Sequence, residues 1–160
     1  MKLLQVKASD RTEMSVWTAP ITKGGGTRPT ITATPSGPAD LGIQVLEYSG
    51  LSPVADATVV DKSKTATGTT GSAAATVQSG ATAATTAANE LALGFYVDSG
   101  FGDTLTVGSG FTQRANISPT PDIEFFAEDQ IAGLSATPNA GVRTGARTTW
   151  LMAAIVLKHG

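Results

Sequence analysis

The longest apolar run of the chain lies near its C-terminal end, at residues 148–158. Even-numbered side chains from Trp150 to Val156 and odd-numbered side chains from Leu151 to Leu157 are all apolar. A strand that is apolar on both faces lies in the middle of a packed sheet. A short terminal helix would have a similar length, and periodicity alone leaves that alternative open. The run 41–50 alternates in the same way and predicts the strand that pairs with it.

Shorter alternating segments precede this run. Residues 3–8 and 13–18 flank a polar turn and predict a hairpin, and residues 90–98 place four apolar side chains on one face. Residues 63–88 consist almost wholly of Thr, Ala, Gly, Ser and Gln, which predicts exposed strands and loops rather than a helix. Further strands are predicted at 30–34, 41–49, 55–60, 104–107, 112–116, 123–127 and near Val142.

Roughly ten short strands without a predicted helix are typical of small β-sandwiches. The pattern predicts an all-β, jelly-roll-like antiparallel β-sandwich, with no helix longer than about two turns. At 160 residues the chain is long enough for one core, so we expect a single domain over residues 1–160.

Composition narrows the choice of partners. The net charge is −2, so no basic face is implied, and we expect neither nucleic acid nor a membrane as partner. The absence of cysteine excludes disulfides, cysteine-bound zinc and thiol nucleophiles. Residues 1–7 lack the apolar centre of a signal peptide, so we expect export, if any, to need a leader outside this sequence or another route, such as assembly into a virus particle.

The apolar pattern also echoes itself at a shift of roughly 109 residues. Residues 14–18 match 123–127, and residues 41–48 match 150–157, in pattern more than in identity. We therefore expect two pseudo-repeated halves, about 1–50 and 89–160, joined by a bridge over 51–88. By this comparison the first half lacks one or two strands before Leu3, which would leave an open sheet edge.

Four segments carry a resemblance to a known family: 45–50 (Val-Leu-Glu-Tyr-Ser-Gly), 87–94, 108–112 and the closing 150–157. Together they resemble jelly-roll-like β-sandwich domains of bacterial secreted surface proteins and of minor tail and other structural proteins of actinobacterial phages. The resemblance implies a structural or adhesive role, in a virion or, alternatively, outside the cell or at its surface. Its motifs are turn and core patterns and carry no chemistry.

No residue pattern indicates catalysis. His159 is the only histidine and lies next to the chain end, where a triad is rarely built. Glu124, Glu128 and Asp129 are the densest acidic cluster, and we interpret them as a solvated strand face. The turn 98–103 has an aspartate at each end but lacks the alternating ligands of an EF-hand loop. We expect no catalytic residue, no metal site and no cofactor.

Two sets of residues remain as candidates for binding. Aromatic side chains can stack on sugar rings if they are exposed; the candidates are Trp17, Tyr48, Tyr96 and Phe101. An open edge at the first strands would recruit another chain, so we expect a homo-oligomer or a neighbouring virion or surface protein as partner. The predicted contact residues are Leu4, Val6 and Trp17.

Overall fold

The structure, a computed structural model, describes residues 1–21, 26, 28–54, 56–100, 103–119 and 122–160. Phe101, one of the predicted stacking residues, lies outside these residues. The described chain contains ten strands and one single-turn 3-10 helix at Ala57–Val59. The strands are β1 (Lys2–Lys7), β2 (Glu13–Trp17), β3 (Val60–Thr69), β4 (Ala75–Gln78), β5 (Glu90–Asp98), β6 (Thr106–Val107), β7 (Thr112–Ile117), β8 (Glu124–Ala132), β9 (Gly141–Thr144) and β10 (Thr149–Leu157).

The eight strands β3–β10 are wound as a jelly roll. The first pairs with the last (β3 with β10), the second with the seventh (β4 with β9), and the third with the sixth (β5 with β8), all antiparallel. The resulting sheets have the orders β3-β10-β5-β8-β7 and β4-β9-β6. The one departure from the ideal winding is β7, which pairs with β8 instead of completing the smaller sheet beside β6. The predicted fold class, an all-β antiparallel sandwich, is confirmed.

The five-stranded sheet is covered on both faces. Its inner face packs against the three-stranded sheet around Tyr96, Phe126, Val142 and Met152. Its outer face is covered in part by the β1–β2 hairpin, through Met14 and its neighbours. Because β10 lies between β3 and β5 under both covers, its two apolar faces are both buried, as the alternation predicts.

The strands predicted from the sequence pattern were wrong in three places. Residues 30–34 and 41–49 form no strand, and the strand predicted at 55–60 begins at Val60. The neighbours of β10 are instead β3 and β5, so 41–50 is not its partner. The two-half repeat is not confirmed, because residues 41–48 have no strand to match β10. A β-like alternation shows which side chains face a surface, but it does not show whether the backbone finds a partner.

One further observation concerns membranes. In the part of the chain that the structure describes, no helix has the length and apolar character required to cross a bilayer.

Candidate functional site

The structure separates the predicted stacking residues. Trp17, at the end of β2, is 65% exposed, and the Lys2 ammonium lies 6.0 Å from the centre of its ring. Tyr96 is only 1% exposed and lies in the core between the two sheets, so its proposed use as a surface aromatic is wrong. Tyr48 is half-buried, and its hydroxyl donates to Asp129 Oδ2 at 2.9 Å. Among the described residues, Trp17 is the only exposed aromatic side chain.

The predicted contact residues of β1 face inward. Leu4 pairs with Val16 and Val6 with Met14 across the hairpin, and both are half-buried against the outer face of the five-stranded sheet. Their own domain therefore uses part of the apolar surface that was predicted to meet another chain. Trp17 points away from this packing and keeps most of its surface free.

A different segment presents apolar side chains outward. Residues 41–48 are extended and alternate in burial: Gly42, Gln44, Leu46 and Tyr48 are half-buried, and the residues between them are exposed. Gly42 lies so close to the Phe125 ring of β8 that a Cβ there would overlap it. The outward side chains Leu41, Ile43 and Val45 are 53–55% exposed. We call these three residues the apolar stripe.

The backbone of this segment makes no sheet ladder. Within the described chain, no strand includes residues 41–48, and no backbone–backbone hydrogen bond involves them. The buried Gln44 Nε2 also has no hydrogen-bond partner. An extended backbone with free donors and acceptors is able to pair with another strand.

The acidic residues of β8 are buried, so the interpretation of Glu124, Glu128 and Asp129 as a solvated face is wrong. Glu124 and Glu128 lie on the same face of β8 as Phe126, which belongs to the core between the sheets. Gly94 on β5 is paired with Glu128 and leaves the room for its side chain, since a Cβ there would lie 2.7 Å from Glu128 Cγ.

Two of these carboxyl groups have clear structural partners. Glu128 accepts hydrogen bonds from the backbone N–H groups of Gly108, at 3.1 Å, and Gly141, at 2.8 Å. It thereby joins β8 to the loop and strand of the opposite sheet. Asp129 accepts from Tyr48 and from Arg114 Nε, the latter at 2.7 Å. Burial, together with the hydrogen bond to Asp129, raises the pKa of Tyr48.

A third group of acids converges at one end of the sandwich. Asp98 ends β5, Glu124 begins β8 directly opposite it, and Asp103 precedes β6. One carboxylate oxygen from each lies within 4.8 Å of the others, and Asp98 and Glu124 are fully buried. We call Asp98, Asp103 and Glu124 the carboxylate cluster.

Hydrogen bonds fix most of the oxygens in the carboxylate cluster. Asp98 accepts from the Tyr96 hydroxyl and from the Gly100 N–H, the latter at 3.0 Å. The Asp103 N–H donates to Glu124 Oε1 at 2.8 Å, and the Ser118 hydroxyl contacts the same oxygen. Glu124 Oε2 is buried and has no hydrogen-bond partner among the residues that the structure describes. Burial, and to a lesser extent the neighbouring Glu124, raises the pKa of Asp98 to about 7.

A separate acidic pair lies at the other end of β5. Glu90 is fully buried, and within the described part of the chain neither of its carboxyl oxygens has a hydrogen-bond partner. Burial and the adjacent Asp61 raise the pKa of Glu90. Asp61 is held ionised instead: burial opposes this, but hydrogen bonds from Thr86 and Lys62 outweigh it and lower its pKa to about 2.

The buried Glu128 gives a pH prediction. Burial raises its pKa above the usual value of 4.5, so the folded protein holds this proton to a higher pH than the unfolded chain does. The folded state then binds more protons above about pH 4.5, and the free energy of unfolding should fall as pH rises through this range. Urea unfolding in EDTA, between about pH 5 and pH 7, measures the slope.

A neutral variant isolates the contribution of Glu128. Glu128→Gln has no proton to lose, so its stability should fall less steeply with pH than that of the wild type. Glu47→Gln, at an exposed position, should keep the wild-type slope. A wild-type stability that is flat or rises over this range would contradict the prediction.

The remaining residue considered for catalysis is the single histidine. His159 is exposed and forms an isolated bridge with Leu51 at the chain end. Compared with protein families, with curated proteins and with solved structures, the chain matches none.

Proposed function

We propose that this protein is a non-catalytic structural or adhesive β-sandwich module that docks onto a neighbouring subunit of an assembly. The observation that carries the proposal is the apolar stripe on an extended segment with no backbone partner. The assembly we propose is a phage particle, with the module as a tail-associated or capsid-decorating component. The resemblance of segments 45–50, 87–94, 108–112 and 150–157 to virion β-sandwich domains supports this placement.

The stripe has the two properties that strand addition requires. Its side chains offer exposed apolar area, and a partner that covers them removes this area from water at about 25 cal/mol per Å². Its backbone offers N–H and C=O groups that a second extended chain is able to pair with. The half-buried residues of the same segment, including Tyr48, hold it against β8. The segment is therefore already extended before a partner arrives.

We propose a second copy of the chain as the partner, and this gives a direct test. The wild type should associate at micromolar concentration, because two stripes are able to cover one another about a twofold axis. Val45→Lys places a charge in the stripe and should weaken the association at least about tenfold, equivalent to about 1.4 kcal/mol. Light scattering and sedimentation measure the association.

The matched control is Val107→Lys on β6, in the smaller sheet. Val107 is also exposed but belongs to a paired strand, so its replacement should leave the association unchanged. A wild type that stays monomeric at these concentrations, or two variants with the same effect, would contradict docking through the stripe.

A carbohydrate-binding module of the cell surface is the alternative, and one observation favours it: Trp17 presents an exposed ring beside a cation. Stacking platforms need such a ring. Retention on insoluble polysaccharide that is lost in Trp17→Ala, with folding intact, would support the alternative over the assembly role. Neighbouring genes for tail or capsid proteins would support the virion placement.

A further inference from the structure

We propose that the carboxylate cluster of Asp98, Asp103 and Glu124 binds a hard divalent cation, and that this cation is calcium. The proposal is independent of the docking role and departs from the sequence-based expectation that the chain holds no metal.

The first argument is the spacing of the oxygens. Calcium takes oxygen ligands at about 2.3–2.6 Å, so two ligands of one ion lie no more than about 5 Å apart. The three carboxylate oxygens lie within 4.8 Å of one another, which satisfies this limit for every pair. They come from three separate parts of the fold: the end of β5, the start of β8, and Asp103, which lies between β5 and β6 along the chain.

The second argument is charge. Asp98 and Glu124 are directly opposed on adjacent antiparallel strands, where like charges destabilise the pairing. Among the residues that the structure describes, no ion pair involves a member of the cluster; the ion pairs there are made by Glu13, Asp61 and Asp129. Buried charges are usually paired or coordinate a metal, and a bound cation would supply the missing positive charge.

The third argument is an oxygen without a partner. Glu124 is fully buried, and its Oε1 is held by the Asp103 N–H and the Ser118 hydroxyl. Its Oε2 has no hydrogen-bond partner among the described residues, and the carboxyl group of Asp98 neighbours that of Glu124. A buried polar atom left unpaired costs free energy because it has lost its hydrogen bonds to water. Coordination of a cation by Oε2 would remove this cost.

The ligand atoms available around the cluster indicate which type of cation it binds. Hydroxyl oxygens of Thr144, Thr148 and Ser118 hydrogen-bond to the cluster or lie against it. The chain has no cysteine, and its one histidine, His159, is at the chain end. An all-oxygen set suits calcium or magnesium rather than zinc. Calcium accepts irregular geometry, whereas magnesium requires a near-ideal octahedron.

One member of the carboxylate cluster faces solvent. Asp103 is half-buried and lines a surface cleft of about 340 Å³, together with Arg143, Thr144 and Gly145. Asp103 is therefore the member of the cluster that a cation from solvent would meet first.

Thermal unfolding of the full chain, with and without calcium after EDTA treatment, tests the proposal. At calcium concentrations about 100-fold above Kd, Tm should rise by about 5–10 °C. Isothermal titration calorimetry with calcium alone should give one site per chain. Magnesium at the same concentration should give a smaller rise, and potassium chloride at equal ionic strength should give none.

Two isosteric variants remove one ligand charge each. Glu124→Gln and Asp103→Asn should each raise the Kd for calcium at least about tenfold. Asp103 is half-exposed, so its variant keeps the test open if the change at buried Glu124 prevents folding. In EDTA, Asp103→Asn should be at least as stable as the wild type, whereas in calcium it should be less stable. If the variant only lost a hydrogen bond, its stability relative to the wild type would change in the same direction in EDTA and in calcium.

The matched control is Asp122→Asn, an exposed aspartate two residues before Glu124, which should bind calcium as the wild type does. A Tm that calcium leaves unchanged would overturn the proposal. Equal responses to calcium and to potassium chloride, or calcium binding that persists in both ligand variants, would overturn it as well.

Discussion

Replacement of Leu151 by alanine should lower the free energy of unfolding by about 2–5 kcal/mol. Leu151 is 0% exposed and packs with Met14, Val97 and Ala153 where the β1–β2 hairpin lies on the five-stranded sheet. Alanine loses the apolar contacts that Leu151 makes with the hairpin and with its neighbours in the sheet. It also leaves a cavity, because β10 is paired with β3 and β5 and is not free to move inward. Urea unfolding followed by tryptophan fluorescence and circular dichroism measures the loss.

Leu134→Ala makes the same chemical change at a position that is 64% exposed. It should change the free energy of unfolding by no more than about 0.5 kcal/mol. Similar losses in the two variants would show that Leu151 is not enclosed, and hence that the hairpin does not cover this face.

The second large effect is expected at Gly108. A Cβ there would overlap the carbonyl oxygen of Gly141 and lie 3.0 Å from its carbonyl carbon, and backbone does not move aside as a flexible side chain does. Gly108→Ala should therefore force β6 away from β9 and stretch the hydrogen bond from the Gly108 N–H to Glu128. We expect a loss of about 1–3 kcal/mol in unfolding free energy, measured by urea denaturation.

Gly133→Ala is the control for this substitution. Nothing lies within 4 Å of a Cβ at Gly133, so alanine should be neutral or slightly stabilising there. If Gly108→Ala behaves in the same way, the close approach of the Gly108 turn to β9 is not as the structure shows it.

The strands with strong alternation were predictable from the sequence alone. The pattern at 90–98 gave β5 with the observed bounds, and the two apolar faces at the C-terminal end identified β10 as a central strand. The hairpin of β1 and β2 followed from two alternating runs and a polar turn. These predictions succeed because burial on a sheet face is a local property, readable at period two.

The failure at residues 41–49 has a physical cause. The segment alternates because its inward residues rest on β8, as Tyr48 does through Asp129, not because its backbone pairs in a sheet. One of the two strands that pair with β10 is β3, and its Lys, Thr and Gly residues give only a weak strand signal. Partner choice depends on contacts between residues far apart in sequence, which alternation does not encode.

The buried acids left a signal that single-residue reasoning missed. Glu124 and Glu128 alternate with Phe126, and Glu90 and Asp98 stand at the two ends of the same face of β5 that carries Tyr96. The strand faces that carry the buried aromatic side chains therefore also carry these carboxyl groups, which indicates that the acids are buried too. The carboxylate cluster itself was not predictable, because it depends on the register that sets Asp98 against Glu124.

The position of β10 also bears on the order of folding. β3 and β5 are held apart by a space that only β10 fills, and β10 is the last of the ten strands along the chain. The larger sheet therefore stays divided until pairings such as Thr149 with Thr69, which lie 80 residues apart in sequence, have formed. All-β domains dominated by such distant contacts fold in about milliseconds to seconds. During that interval the apolar faces of β5 lack their neighbour, so self-association is a greater hazard while the chain folds than after β10 is in place.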